Sequence, residues 1–388
     1  MRFPEFSGEW EKTSIGECFS KVENGLTYDT DNTSGVPVTR IETISDKSIN
    51  YDRVGYANID DKISKYEMQY GDVLFSHINS LKHIGKTAFY DAAQPLYHGM
   101  NLILLRAKKS LDSKFLYYTL NTHKFLHRCQ VLANQAVNQA SINTKELKSI
   151  NISVPQMQEQ QKISGLISLL DERIETQRKI IEKYESLIRG LITSVNKGEI
   201  CKCKATALKD VLTEVHEKNV ENHEVCSVSV SQGVINQIDY LGRSFAAKEV
   251  LHYNVVNYGD IVYTKSPTGE FPYGIVKRSN LDRPVAVSPL YGVYRPVNDY
   301  VGIYLHLYFK SPVNTKNYLH RLIQKGAKNT INITNQHFLD NQILIPEHGW
   351  LEIIVNAAST IEKMIQIECD ALLWLERQRN YLLSKMFI

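Results

Sequence analysis

The chain repeats itself once at an interval of about 190 residues, and this repeat constrains the fold more than any other feature of the sequence. Residues 70–73 (YGDV) return 188 residues later as residues 258–261 (YGDI). Residues 125–128 (FLHR) return as residues 318–321 (YLHR), and INISVP is matched in the same order by QILIP. Three matched segments in one order predict a chain built of two similar halves.

Each half ends in a long segment whose apolar residues follow a heptad pattern. The apolar positions step alternately by four and three residues, as in coiled-coil helices. A continuous helix over residues 159–197 would be about 58 Å long at 1.5 Å per residue. Because both halves end in such a segment, we predict that the two helices pair as an antiparallel coiled coil. The predicted helix-pair interface consists of Ile163, Ile167, Leu170, Ile174, Gln177, Ile181, Ile361, Ile365, Glu368, Leu372 and Leu375.

The predicted fold class is mixed α/β (α+β), with two similar globules separated by two long antiparallel coiled-coil helices in a pseudo-twofold repeat. Gly, Pro and Asp turn signals bound strand-like stretches at residues 72–75, 101–105 and 260–263. Residues 113–128 and 299–309 are predicted helices. The predicted segments are a first globule at 1–154, a first long helix at 155–200, a second globule at 201–345 and a second long helix at 346–388.

Composition places the chain among ordinary folded proteins. Its 388 residues are 43% hydrophobic and 22% charged, which excludes a disordered or fibrous chain. The six cysteines form no C-x-x-C pair of the kind that holds structural zinc. No apolar stretch has the length of a membrane span or the form of a secretory signal. We therefore expect a cytoplasmic protein with reduced thiols and no membrane partner.

The net charge of +3 conceals two basic segments at equivalent places in the repeat. Residues 92–148 contain eight basic and two acidic residues, and residues 281–339 contain seven basic and two acidic residues. Because clustered cations attract polyanions, the duplication predicts double-stranded DNA as a partner.

Polar loops beside these basic segments are the predicted base contacts. Asn and Gln can bond adenine through two hydrogen bonds, and Lys can reach guanine or a phosphate. The alternative is that these are ordinary surface loops with local hydrogen bonds to the backbone. The predicted DNA-binding residues are Ser76, His77, Asn79, Lys82, Asn134, Gln135, Asn138, Gln139, Lys265, Ser266, Thr268, Lys325, Lys328 and Asn329.

The sequence offers no active site. Gly85-Lys86-Thr87 resembles the end of a phosphate loop, but Ser80 stands where the first glycine is required, and the following residues are strand-like. G-x-S-x-G, H-E-x-x-H and dinucleotide-binding glycine motifs are absent from the sequence. We therefore predict no catalytic residues and no metal site, and a self-contained nuclease or methyltransferase is disfavoured.

Taken together, these features resemble the specificity subunit of type I restriction-modification systems. The resemblance rests on the repeat combined with PQMQEQQKI at residues 155–163, where the first long helix begins. FPEFSGEW at residues 3–10, the YGD segments, SVSVSQGVI at 227–235 and SPLY at 288–291 add to it. The second helix departs from the pattern, because no Glu-Gln pair follows Pro346 and Arg379 stands where the first heptad pattern has Ile188.

The resemblance implies that each globule is a target recognition domain for one half of a bipartite DNA sequence, in a system of defence against foreign DNA. It implies that the helices form a spacer and that separate modification subunits carry out DNA methylation. The two equivalent helix-globule units suggest two copies of the modification subunit. Restriction subunits would complete the complex. S-adenosylmethionine, ATP and magnesium would then belong to the partner subunits, and this chain would hold no cofactor. The alternative function is a coiled-coil adaptor that does not bind DNA.

Overall fold

The computed structural model describes residues 1–29, 31–45, 48–59, 63–136, 139–241, 249–325, 331–347 and 349–387. The elements as far as the first long helix are β1 (Glu11–Ser14), α1 (Ile15–Cys18), β2 (Phe19–Asn24), β3 (Val36–Val38), β4 (Ile44–Ser45), β5 (Ser48–Ile49), β6 (Gly55–Ala57), β7 (Val73–Phe75), β8 (Ile78–Asn79), β9 (Thr87–Phe89), β10 (Ile103–Ala107), α2 (Ser113–Leu120), α3 (His123–Leu132), β11 (Asn134–Ala136), β12 (Gln139–Ser141), α4 (Thr144–Ser149), β13 (Asn151–Val154) and α5 (Met157–Asn196).

The second series of elements repeats the alternation of short strands and helices. Its members are β14 (Cys203–Ala207), β15 (Leu212–Glu214), β16 (Cys226–Ser229), β17 (Gly233–Asn236), α6 (Gln237–Leu241), β18 (Asn254–Val256), β19 (Ile261–Thr264), β20 (Ile275–Arg278), β21 (Val285–Val287), β22 (Gly292–Pro296), α7 (Asp299–Phe309), α8 (Pro312–His320), β23 (Gln324–Lys325), β24 (Ile331–Asn332), α9 (Asn335–Asp340), β25 (Gln342–Pro346) and α10 (Trp350–Met386). The mixture of helices and strands agrees with the predicted α+β class.

The chain divides into two compact units. The first unit comprises Met1–Arg178 and Asp370–Ile388, and the second comprises Lys179–Cys369. Both boundaries fall inside the long helices α5 and α10, so each unit includes part of both helices. The predicted division into two globules and two separate helices stays a prediction.

The central sheets of the two units have the same strand order. In the first unit the antiparallel order is β2-β10-β7-β9, and in the second it is β15-β22-β19-β20. α2 begins the helical layer of the first unit, with Phe115 fully buried in its core, and α7 does so in the second, with Tyr304 fully buried. The two halves of the sequence repeat therefore form sheets of the same strand order.

The repeated YGD segment forms the turn before a central strand in each unit. Gly71 and Gly259 have φ angles of +91° and +87°, which favour glycine over residues with a Cβ. Asp72 and Asp260 are buried, and each carboxylate accepts a hydrogen bond from the backbone amide three residues before it, at 2.7 and 2.9 Å. The motif is therefore a structural turn.

One helix predicted from the sequence is wrong in extent. Residues 113–128 form two helices, α2 and α3, because Thr122 caps a new helix by accepting a hydrogen bond from the amide of Phe125 at 3.3 Å. The strand predicted at 101–105 begins at Ile103 and continues to Ala107. The helix predicted at 299–309 agrees with α7.

The heptad positions lie on the less exposed sides of α5 and α10. Ile163, Ile167, Leu170, Ile174 and Leu375 are buried, whereas Gln177, Ile181, Ile361, Ile365, Glu368 and Leu372 are half-buried. Within the first unit, Asp171 contacts Arg379 and Arg178 contacts Glu376, so these helix segments run antiparallel. In the described ranges, no helix is long and apolar enough to cross a membrane.

Candidate nucleic-acid interface

Two loops that the sequence analysis identified separately meet in one small sheet of the first unit. β8 contains Asn79, and β11 and β12 contain Asn134, Gln135 and Gln139. The strand order is β11-β12-β8, with Asn79 opposite Ala140 on β12. The structure thus brings four of the predicted residues together.

Strand pairing distributes their side chains over two faces of this sheet. Asn134 pairs with Ser141 and Ala136 pairs with Gln139, so Asn134, Gln139 and Ser141 share one face. Asn79 and Gln135 share the other face with Ala140, which is only 1% exposed. The side chains of Asn134 and Gln139 are exposed, so their face presents two amide groups to solvent.

Ser76 and His77 directly precede β8 and are buried, so they are not surface residues. Ser76 is 1% exposed, and its Oγ accepts a hydrogen bond from the amide of Asn79 at 3.2 Å. His77 is 8% exposed, and its Nε2 lies 3.3 Å from Nδ2 of Asn24. Burial lowers the pKa of His77, which keeps the ring neutral at pH 7. The side chain of Ser76 therefore supports β8, and that of His77 contacts Asn24 of β2. Lys82, in contrast, is exposed in the turn after β8.

In the second unit, the predicted residues that the structure describes lie in two places, the loop between β19 and β20 and the strand β23. Lys265, Ser266 and Thr268 are exposed between β19 and β20, where Thr268 and Phe271 exchange backbone hydrogen bonds of 2.9 and 3.1 Å. Lys325 lies on β23, which pairs with β24. Asn138, Lys328 and Asn329 lie outside the described residues.

Two arginines that contribute to the basic segments are held in ion pairs. Nε and Nη2 of Arg106 donate to the two carboxylate oxygens of Asp72, each at 2.7 Å. Arg295 makes the equivalent pair with Asp260 at 3.0 and 3.1 Å. These hydrogen bonds raise the pKa of both guanidinium groups. The charge available to DNA is therefore smaller than the residue counts indicate.

The Glu-Gln pair at the start of α5 is buried within the first unit. Both Glu159 and Gln160 are 1% exposed, and Glu159 receives two hydrogen bonds of 2.7 Å from Arg2. Gln160 donates to the carbonyl of Pro155 at 2.8 Å and accepts from the amide of Asp112 at 2.9 Å. These hydrogen bonds connect the start of α5 to Arg2 and Asp112 of the globule.

Sequence reasoning missed two residues at the small sheet. Ser141 shares a face with Asn134 and Gln139, and the alternation of side chains along a strand could have indicated it. Asn24 touches His77 from a distant strand, and no local pattern carries that signal. Over the described ranges, no group of three or more His, Cys, Asp or Glu side chains is arranged to hold a metal ion.

Comparison with known proteins connects this geometry to a family. Residues 7–185, which include the whole β11-β12-β8 sheet, match the family described as type I restriction modification DNA specificity domain. The resemblance to type I specificity subunits is confirmed. A putative type I restriction enzyme specificity subunit of Methanocaldococcus jannaschii is 39% identical over 193 residues, covering 48% of this chain and 45% of the relative. The chain spans about half the length of the curated relatives that it matches.

Two solved structures share the fold of this chain. The crystal structure of the type I system S subunit from M. genitalium has a TM-score of 0.60 at 12% identity, covering 100% of this chain and 99% of that chain. A structure concerning complex assembly of the type I restriction-modification system has a TM-score of 0.52 at 13% identity, covering 98% and 97%. At these identities the likeness shows the fold alone.

Proposed function

We propose that this chain is the non-catalytic DNA specificity subunit of a type I restriction-modification complex. Each unit would read one half of a bipartite target. The observation that carries the proposal is the small sheet of the first unit, which presents Asn134 and Gln139 on one exposed face inside the matched specificity domain.

The proposed reading combines base contacts with phosphate contacts. The amides of Asn134 and Gln139 can each donate to and accept from the edge of an adenine in the major groove. Exposed lysines such as Lys82 can contact phosphates, which sets the register without reading sequence. In the second unit, Lys265, Ser266, Thr268, Lys325, Lys328 and Asn329 are the proposed counterparts.

The spacer of the target would be set by α5 and α10 paired as an antiparallel coiled coil. α5 has 40 residues and α10 has 37, which correspond to about 60 and 56 Å of helix. The buried heptad positions and the antiparallel contacts in the first unit support this pairing. A rigid helix pair would keep the two half-sites at a fixed separation.

The partners would be two modification subunits, with restriction subunits in the full complex. α10 exposes Ile353, Ile367, Trp374 and Tyr381, whose spacing in multiples of seven places them on one side of the helix. Ile367 and Trp374 are 66% and 64% exposed, and such apolar side chains mark sites of protein contact. S-adenosylmethionine, ATP and magnesium would be bound by these partners.

The test is methylome sequencing of cells that express the modification subunit with and without this chain. We expect the chain to add methylation at a split motif with two short defined halves and a fixed spacer. The modification subunit alone is the control. Unchanged methylation beside a modification subunit of demonstrated activity would contradict the proposal and favour the adaptor function.

A further inference from the structure

A cavity in the second unit is lined by cationic side chains. It has a volume of about 250 Å³ and lies between the β16–β17 turn, the edge strand β20 and the C-terminal part of α7. Its polar lining includes Ser231, Gln232, Lys277, Arg278, His306 and Lys310. Among the described residues that line it, none carries a carboxylate.

Lys277 is the cation at this cavity that most needs a partner. The residue is 4% exposed, and the described part of the chain supplies no hydrogen bond or ion pair to its ammonium group. Arg278 and Lys310, in contrast, pair with Asp299 and Glu362. Burial, followed by the like charge of Lys310, lowers the pKa of Lys277 to about 8. A charge that is largely shielded from water and has no partner is costly, and an anion in the cavity would lower that cost.

His306 supplies a second hydrogen-bond donor at the cavity. Nδ1 of His306 accepts a hydrogen bond from the amide of Arg278 at 3.3 Å, and burial lowers the pKa of this ring to about 3. The neutral ring therefore carries its proton on Nε2, which is a donor.

The first unit shows that the fold does not require these cations. β9 is the equivalent of β20, because it pairs with β7 as β20 pairs with β19. Lys277 lies opposite Val262, and at the equivalent position of the first unit Ala88 lies opposite Leu74. One position further along β9, Phe89 occupies the place of Arg278. An equivalent edge strand thus forms with an alanine and a phenylalanine, so the two cations of β20 are a property of the second unit.

We propose that this cavity binds an oxyanion of the phosphate class, with Lys277 as the main cationic contact. Lys310 at the rim and the Nε2–H group of His306 supply further donors, and hydrogen bonds between charged partners are the stronger kind. The volume exceeds that of a single ion, since one water molecule takes up about 30 Å³ in the liquid. A phosphate that carries an attached group can therefore enter. This proposal does not depend on the proposed function.

The experiment measures thermal unfolding of the full chain in increasing inorganic phosphate, against sodium chloride of equal ionic strength at pH 7. We expect a saturable rise in Tm for the wild type. Lys277→Met should weaken the apparent phosphate affinity at least tenfold, and Lys310→Ala should weaken it several-fold. Lys204→Met changes an exposed lysine on β14 and should leave the affinity unchanged.

Two results would overturn the proposal. The first is a Tm of the wild type that does not respond to phosphate beyond the effect of chloride. The second is phosphate stabilisation of equal size in the wild type, Lys277→Met and Lys310→Ala. Because Lys310 is half exposed, its variant keeps the test valid if Lys277→Met fails to fold.

DNA titrations then identify the source of the oxyanion. If phosphate competes with DNA and Lys277→Met lowers the salt slope of DNA binding by about one, the anion is a backbone phosphate. If Lys277→Met loses phosphate binding but keeps DNA affinity and slope, the site takes a free phosphorylated molecule. Phosphate binding by a chain whose complex never binds DNA would contradict only the proposed function.

Discussion

Arg379, at a heptad position of α10, forms an ion pair with Asp171 of α5. Arg379 is 7% exposed, and Asp171 also accepts a hydrogen bond of 2.8 Å from the hydroxyl of Tyr118. The guanidinium carbon lies 5.9 Å from the centre of the Tyr118 ring. A polar residue at a heptad position fixes the register of paired helices, because only one alignment gives it a partner.

Removing one member of this pair should destabilise the first unit. We expect Arg379→Leu to lower the free energy of unfolding by about 2 kcal/mol, since it leaves a half-buried carboxylate without its cation. Adding Asp171→Asn should recover most of the loss, as a double-mutant cycle of urea unfolding would show. Arg178→Ala, which breaks an exposed pair, should cost less than about 1 kcal/mol. If Arg379→Leu and Arg178→Ala lowered the free energy of unfolding equally, burial would not be the reason for the loss.

Stability should fall when the pH drops below the ordinary pKa of histidine. Burial lowers the pKa of His98 to about 4, so the folded chain excludes a proton that the unfolded chain binds below pH 6.5. The stabilisation is complete above pH 6.5 and is lost towards pH 4, which corresponds to about 2 kcal/mol between pH 7.5 and 5.0. Urea unfolding of His98→Gln should show a weaker pH dependence. The exposed His123→Gln is the control and should behave as the wild type.

Base and phosphate contacts should separate in binding experiments on the assembled complex. Gln139→Ala should cost about 1–3 kcal/mol at one base position of a half-site, because a bidentate contact is lost. The salt dependence of DNA binding by this variant should not change. Lys82→Ala should instead lower the slope of log K against log salt by about one and leave sequence preference intact. Fluorescence anisotropy with single-base variants of the target, repeated over a salt series, measures both quantities.

The exposed side of α10 should bind the modification subunit. Trp374→Glu places a charge on this apolar surface and should abolish co-purification of the two proteins. Urea unfolding of the isolated chain should be unchanged, because Trp374 is 64% exposed. Val131→Glu, an exposed apolar residue of α3, should leave the assembly intact. Normal assembly of Trp374→Glu would place the docking surface elsewhere.

Lengthening both long helices should change the target sequence. One heptad inserted at the middle of α5 and of α10 adds about 10 Å of helix, or about three base pairs at 3.4 Å each. Methylome sequencing should then find a spacer longer by that amount with both half-sites unchanged. Insertion into α5 alone should disrupt the pairing and abolish methylation. An unchanged spacer after the double insertion would show that helix length does not set it.

The sequence predicted the parts of the fold that leave a periodic or repeated trace. The heptads located both long helices, and the YGD repeat located equivalent strands. The pairing of Asn79 with Ala140 could not be predicted, because strand register between distant segments leaves no periodic trace. Counting charges also failed for Arg106, since a count cannot detect that Asp72 neutralises it. The burial of Ser76 could not be predicted either, because it depends on neighbours far along the chain.

The core of the first unit joins residues from distant parts of the chain. Leu375, Leu382 and Met386 of α10 belong to the same hydrophobic cluster as Ile163 and Ile167 of α5. During synthesis on the ribosome, the first globule therefore emerges before the α10 residues that complete its core. These residues are made only after the second unit. Contacts over such sequence distances close slowly. The first unit can therefore complete its core only after residues 375–386 have been made.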